Sequence, residues 1–214
     1  MARIKALLFD LDGVIVSTEK NHFVAWRETA SRLGISFTEH HNEALKGVNR
    51  VDSLKHILKL GDKSVSDDDF ESLLGFKNDM YLNSIATLSK ADLLPGVDAL
   101  LIQAKSMGVK IGLGSSSKNA PMILRRLGIT ELFDVVIDGN GVACPKPDPE
   151  VFLNGAKALN LAPSDCLVFE DALSGVAAAK AGGFLAIGVG NPMLKEVADV
   201  YFNDLTEFRL EAYA

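Results

Sequence analysis

Short apolar, β-branched runs alternate with helix-period segments through most of this chain, and one long stretch interrupts them. The runs Ile4–Phe9, Val109–Leu113, Val135–Ile137, Leu167–Phe169 and Phe184–Ile187 read as strands, and Tyr201–Phe202 as a sixth. Between them, Val97–Met107, Ala120–Leu127, Pro149–Leu159 and Leu173–Ala181 carry amphipathic helical patterns. Gly108, Gly128 and Gly182 follow three of these, at the place where a helix end favours positive φ. Strands that are apolar along their whole length, alternating with helices, predict a parallel sheet covered on both faces, a doubly wound α/β core. Ligands of such sheets sit at the carboxyl ends of the strands. From about Thr18 to Leu88 the alternation fails, and only helical patterns appear: Glu19–Leu33, Glu39–Lys46, Val51–Leu60 and Asp67–Leu88. The expected organisation is therefore an α/β core of residues 1–16 and 90–214, with an inserted helical cap of residues 17–89. An insert placed straight after the first strand reads as a lid over the ligand edge.

Composition removes several function classes. In 214 residues there are 22 Lys plus Arg against 28 Asp plus Glu, a net charge of −6. That balance argues against sequence-independent nucleic-acid binding, which works by counterion release from basic side chains. No apolar stretch approaches the ~20 residues of a membrane span. The opening MARIKALLFDLDG reaches Asp10 too soon for a secretory leader. Cys144 and Cys166 lack metal-ligand spacing and read as reduced thiols, which sets the expectation of a cytoplasmic protein. Charge and apolar content suit a monomer.

Four motifs carry chemistry, each after a strand. Asp10 and Asp12 stand at i and i+2 after the first, where an extended chain projects both carboxylates to one side. Two like charges that close call for a cation, and Mg²⁺ favours oxygen ligands and phosphate substrates. Taken alone, the pair also reads as a solvated strand-end turn. Glu170-Asp171 follows the fourth strand; the plainer reading is a helix start, with Asp171 as cap. Leu113-Gly114-Ser115-Ser116-Ser117-Lys118-Asn119 offers small residues and helix-start amides to an anion, or is an ordinary strand–turn–helix connection. Gly112-Leu113-Gly114 lacks the third glycine of a dinucleotide fingerprint. In Cys144-Pro145-Lys146-Pro147-Asp148-Pro149, flanking prolines limit where the Lys146 ammonium points. That suits a phosphate clamp as well as it suits a solvent loop. Together the four supply what phosphoryl transfer through an aspartyl phosphate needs. Asp10 serves as nucleophile, Asp12 as acid/base, Ser115 and Lys146 on the phosphoryl group, and Glu170 and Asp171, with Asp10 and Asp12, on the metal.

With these motifs in this order, the chain resembles the phosphotransferases of the haloacid dehalogenase superfamily over its whole length, and its helical insert resembles their type 1 cap. Within that superfamily it is similar to the β-phosphoglucomutase-like family. The likeness rests on His22-Phe23-Val24-Ala25-Trp26, Leu45-Lys46-Gly47-Val48-Asn49-Arg50, Asp52-Ser53-Leu54, Lys77-Asn78-Asp79 and Ser117-Lys118-Asn119. The resemblance implies that Arg50, Ser117, Lys118 and Asn119 hold a non-transferring phosphate, and that His22 and Lys77 respond to substrate. Thr18, Gly47 and Ser116 complete the substrate-binding set it implies. Trp26 is expected to pack between cap helices. The implied activity interconverts β-glucose 1-phosphate and glucose 6-phosphate through a bisphosphate, with Mg²⁺ as cofactor and a small phosphorylated sugar as partner. The alternative is a Mg²⁺-dependent phosphatase on the same core. Three positions depart from the family pattern: Val16 and Ser17, before the retained Thr18, and Ala172, which follows the Glu-Asp pair where serine is frequent. Asp138-Gly139-Asn140-Gly141 resembles a stretch also seen in mutase-like members of the superfamily.

Overall fold

The structure is a computed structural model and describes residues 3–45 and 47–214. It divides into two compact units: the chain up to Ser17 together with Leu88–Ala214, and Thr18–Thr87. The first unit is a six-stranded sheet of β1 (Ala6–Phe9), β2 (Lys110–Gly114), β3 (Val135–Ile137), β4 (Cys166–Glu170), β5 (Leu185–Val189) and β6 (Val200–Phe202). The strand order is β3-β2-β1-β4-β5-β6, and every pairing is parallel. The order runs outward from β1 in one direction and then in the other, so the carboxyl ends of β1 and β4 flank the switch point.

Strand alternation divides the core. Ala6, Leu8, Val168 and Ala186 face the helices α7 (Glu150–Ala158) and α8 (Leu173–Ala181), packing with Phe152, Ala156, Val176 and Phe184. Phe9 and Phe169 project to the opposite face. Their rings stack at 4.7 Å, and Phe208 meets Phe169 edge-on at 5.0 Å. Two further helices, α5 (Val97–Ser106) and α6 (Ala120–Arg126), complete the unit. Where the chain leaves and re-enters it, Val16 bridges Leu93, and the Leu94 N–H donates to the Ile15 carbonyl at 3.0 Å.

The second unit contains α1 (Glu19–Arg32), α2 (Glu39–Glu43), α3 (Arg50–Leu60) and α4 (Asp67–Ser84). Trp26, Ala30, Phe37, Leu54, Ile57 and Leu74 form its core; Trp26 is packing, as expected. Asn49 and Ser66 cap α3 and α4 by accepting the Asp52 and Asp69 N–H groups at 2.9 and 3.2 Å. Most limits lie within two residues of the sequence expectation, but α4 and α2 end earlier than expected, and the left-handed turn after α8 falls one residue later. The α4 helix stops at Ser84 rather than Leu88. There Ser84 Oγ donates to the Tyr81 carbonyl at 2.7 Å, and Asn21 Nδ2 occupies the Ser84 carbonyl at 3.2 Å, removing an acceptor from the next turn. The α2 helix ends at Glu43, where Leu45 N–H turns back to the Asn42 carbonyl; Lys46 lies outside the described residues. After α8, positive φ falls on Gly183 at 79°, while Gly182 still has a right-handed helical φ of −79°.

Candidate active site

The β1/β4 register aligns Phe9 with Phe169, and the Asp10 N–H continues the ladder to the Phe169 carbonyl at 2.9 Å. Asp10 and Glu170 therefore emerge side by side at the switch point, both buried. Lys146 reaches between them. Its ammonium lies 2.5 Å from Asp10 Oδ1, 2.6 Å from Glu170 Oε1 and 3.0 Å from the Gly114 carbonyl, and its side chain is 1% exposed. The Phe152 ring sits 4.7 Å from the same ammonium. The second Glu170 oxygen accepts the Ala172 N–H at 3.1 Å. Asp171 does not cap α8; Ala172 occupies that position, without a side-chain cap bond. The Asp171 carbonyl instead accepts Asn191 Nδ2 at 3.0 Å, from the loop after β5.

Carboxylate oxygens of Asp10, Glu170 and Asp171 lie within 4.8 Å of one another. The Asp12 side chain is not in this set. The strand ends at Phe9, the chain bends at Leu11, and Asp12 bridges to Val16, so pleated alternation does not carry as far as Asp12. Its charge is still felt. Burial pushes the Asp10 carboxyl up to about 7 against the pull of Lys146, with Glu170 and Asp12 adding to the rise. Burial followed by Glu170, Asp10 and Asp12 pushes Asp171 up to about 9. Burial would lower the Lys146 ammonium, but Asp10 and Glu170 outweigh it and hold it above the ordinary lysine range. Clustered hard oxygen donors with surplus negative charge around one ammonium fit a divalent cation such as Mg²⁺.

Two glycines make room for these carboxylates. Gly13 turns at φ 83°, and a Cβ on it would overlap the Asp171 carboxylate. Gly175, inside α8, has no such φ; a Cβ there would overlap the Glu170 carboxylate. Gly175, Phe152 and Asn191 escaped the sequence reading.

Ser115, buried, follows β2 beside this centre; its N–H donates to the Ile137 carbonyl at 3.0 Å. Its Oγ accepts the Ser117 N–H at 3.1 Å, and Ser117 Oγ accepts the Asn119 N–H at 3.2 Å. Two of the amides expected to face an anion are thus engaged within the turn. Gly112 and Gly114 lie inside β2 and form no phosphate loop.

On the helical unit, Lys77 and His22 meet: the Lys77 ammonium donates to His22 Nδ1 at 2.7 Å. Lys77 is 3% exposed, with its ammonium 4.7 Å from the Trp26 ring and 4.8 Å from that of Tyr81. Tyr81, one turn after Lys77, shares a 2.9 Å hydroxyl contact with Thr18, and the sequence reading gave it no role. Arg50 opens α3, three residues after Gly47 with φ 73°. Burial lowers its guanidinium pKa, opposed by Asp79 and then Tyr81.

A second cluster, Cys144, Asp148 and Glu150, is exposed or half-exposed, and Glu150 is engaged by the Ala143 and Cys144 N–H groups at 2.7–3.1 Å. Among the described residues, no helix is long and apolar enough to cross a membrane.

Residues 4–183 match the family model of the haloacid dehalogenase-like hydrolases. The chain is 43% identical to a β-phosphoglucomutase of Bacillus subtilis over 97% of its own length and 93% of the relative's. It is 34% identical to a phosphorylated carbohydrates phosphatase of Thermotoga maritima, over 84% and 82% of the two chains. A crystal structure of β-phosphoglucomutase from Clostridium difficile superposes with a TM-score of 0.94 at 39% identity, covering 98% of this chain and 95% of that one. The chain belongs to the haloacid dehalogenase-like hydrolase family.

Proposed function

We propose that this protein is a Mg²⁺-dependent phosphotransferase that interconverts β-glucose 1-phosphate and glucose 6-phosphate through a phosphorylated Asp10 and a glucose 1,6-bisphosphate intermediate. The observation that carries phosphoryl transfer is the Asp10 carboxylate: buried, fixed through one oxygen by Lys146, and set among further acids at the switch point. In this reading an Asp10 oxygen attacks phosphorus and the bond from phosphorus to the sugar oxygen breaks. Asp12 gives its proton to the departing oxygen. In the other half-reaction the free hydroxyl of a glucose monophosphate attacks the phosphoaspartate while Asp12 takes its proton, which forms the 1,6-bisphosphate and releases Asp10 as carboxylate. Lys146 and Ser115 hold the equatorial oxygens of the moving group. Bound by Asp10, Glu170 and Asp171, Mg²⁺ would neutralise charge on the phosphoryl oxygens.

A sugar hydroxyl rather than water as acceptor is supported by the near full-length similarity to a β-phosphoglucomutase. It is also supported by cations on the helical unit that a hydrolase of monophosphates does not need: half-buried Arg50, and buried Lys77 paired with His22. Ser116, Ser117, Lys118 and Asn119 are assigned to the phosphate that is not transferred, and Arg50 is assigned the same charge-neutralising task. Thr18, His22, Gly47 and Lys77 are assigned to substrate recognition. A cytoplasmic monomer fits two unpaired cysteines and a net charge of −6. The test is ³¹P NMR of the protein with Mg²⁺, β-glucose 1-phosphate and a trace of the 1,6-bisphosphate. Glucose 6-phosphate growing with little orthophosphate supports the mutase. Orthophosphate as the sole product makes the protein a phosphatase.

A further inference from the structure

The loop after β3, Asp138-Gly139-Asn140-Gly141, is the one motif that the proposed reaction leaves unused, and its contacts lead to the Ser116–Asn119 turn. Asp138 braces the loop from within: its Oδ1 accepts the Asn140 N–H at 2.8 Å and its Oδ2 accepts Asn140 Nδ2 at 3.1 Å. Asn154 of α7 anchors the far end, donating to the Gly141 carbonyl at 3.3 Å. Between these ties, the Gly139 N–H donates to the Ser117 carbonyl at 3.4 Å. A Cβ on Gly139 would overlap the Ser116 carbonyl oxygen and stand 3.1 Å from both the Lys118 nitrogen and its Cγ. The glycine's backbone angle is not left-handed, so close approach is what requires it.

An obstacle made of backbone cannot swing aside as a side-chain tip can. The turn it would push against is already tied through its own hydroxyls, Ser115 Oγ to Ser117 N–H and Ser117 Oγ to Asn119 N–H. A displacement at Ser116–Lys118 would therefore carry Ser117 and Asn119 with it, while Ser115 stays held to the end of β3 by its own N–H on the Ile137 carbonyl at 3.0 Å. We infer that Gly139 is a positioning residue: by lacking a Cβ it seats the 138–141 loop against the Ser116–Lys118 backbone and so sets the Lys118 and Asn119 side chains for the second phosphate of a sugar bisphosphate. This rests on the assignment of Ser116–Asn119 to the non-transferring phosphate. Gly141 is the internal comparison. A Cβ there would make only ordinary contacts, 3.6 Å to the Asp138 carbonyl oxygen and 3.8 Å to Ile137 Cγ2.

The experiment compares Gly139→Ala and Gly141→Ala in the full chain. Misplacement of a binding group by about 1 Å costs on the order of 10²-fold, so KM for the bisphosphate is expected to rise at least about 10-fold in Gly139→Ala. Hydrolysis of acetyl phosphate, whose single phosphoryl group needs only the Asp10 centre, should stay within about 2-fold of wild type. Amide hydrogen exchange at Ser116–Asn119 should accelerate in Gly139→Ala and stay at the wild-type rate in Gly141→Ala. Asn154→Ala, which loosens the loop without adding atoms, should shift exchange at Ser116–Asn119 in the same direction if Gly139→Ala folds poorly. Wild-type KM and exchange in Gly139→Ala would overturn the inference. So would equal effects of the two glycine variants, or a parallel fall in acetyl phosphate hydrolysis. If the wild-type protein turns over no bisphosphate, the proposed function fails, while the exchange measurement still decides whether Gly139 seats the turn.

Discussion

Gly175→Ala is the substitution for which this active-site geometry predicts a result opposite to the rule for helices. An interior helix glycine replaced by alanine ordinarily gains stability, by about 0.5–1 kcal/mol. Here the new Cβ would occupy the place of the Glu170 carboxylate. That carboxylate cannot withdraw without leaving Lys146 at 2.6 Å and the Ala172 N–H at 3.1 Å, and both partners of the ion pair are 1% exposed. Breaking a buried pair leaves an uncompensated charge and costs about 3–5 kcal/mol. Setting the helix gain against that loss leaves about 2–4 kcal/mol of destabilisation, a fall in Tm of roughly 5–15 °C for a domain of this size. Thermal denaturation without metal reads the stability, and isothermal titration with Mg²⁺ reads the displaced carboxylate as a loss of affinity of at least about 10-fold. Ser174→Ala, one residue away, removes a buried hydroxyl with no hydrogen-bond partner and should leave both values near wild type. A Gly175→Ala protein as stable as wild type, with unchanged Mg²⁺ affinity, would refute the placement of Glu170.

Proton linkage gives a second prediction. With Asp171 pushed up to about 9 and Asp10 to about 7, Mg²⁺ must displace protons, so its affinity should rise by about 10-fold per pH unit for each proton displaced between pH 7 and 9. The sign for stability follows. A carboxyl whose native pKa exceeds its unfolded value holds a proton that the unfolded chain has lost, so metal-free stability falls as pH rises from about 4 to 9, and Mg²⁺ should restore it. Calorimetry in two buffers of different ionisation enthalpy checks this, and zero proton release contradicts it. Arg50→Ala should lower mutase turnover by at least about 10-fold more than phosphoenzyme hydrolysis, in keeping with removal of a charged hydrogen-bonding group worth about 1.5–3 kcal/mol. Equal losses in both assays count against its assigned task. Lys77→Met keeps the apolar stem between Trp26 and Tyr81 but ends the contact with His22. It should raise KM for the sugar phosphate while leaving acetyl phosphate hydrolysis near wild type, and a parallel loss of both would assign Lys77 to folding alone.

Apolar runs located the six strands: β1 and β4 are buried throughout, and the half-buried edge strands β3 and β6 are apolar as well; each strand lies within two residues of its expected limits. The acids were legible for the same reason: Asp10, Glu170 and Asp171 punctuate apolar runs where a charge has no packing role. What stayed hidden depends on three-dimensional contacts that an apolar pattern does not report. Phe152 reads as one more apolar position on α7, and only the fold puts its ring beside Lys146. Asn191 lies twenty residues beyond Asp171, in a loop whose polar side chain looks like any cap. Gly175 reads as a flaw in a helix until the Glu170 carboxylate is seen in the space it vacates. The i, i+2 rule belongs to strands, and β1 ends at Phe9, so the rule alone does not place the Asp12 carboxylate. Ser84 ended α4 early through side-chain bonds that no apolar pattern reports.

In the proposed reaction the phosphoryl group rests covalently on Asp10. This is tested most directly by acid-quenching the Mg²⁺-loaded protein during turnover of the 1,6-bisphosphate and mapping the modification by mass spectrometry. A single hydroxylamine-sensitive phosphoryl group is expected on the peptide containing Asp10, and none in Asp10→Asn. A phosphoryl group on another residue, or one retained in Asp10→Asn, would contradict it.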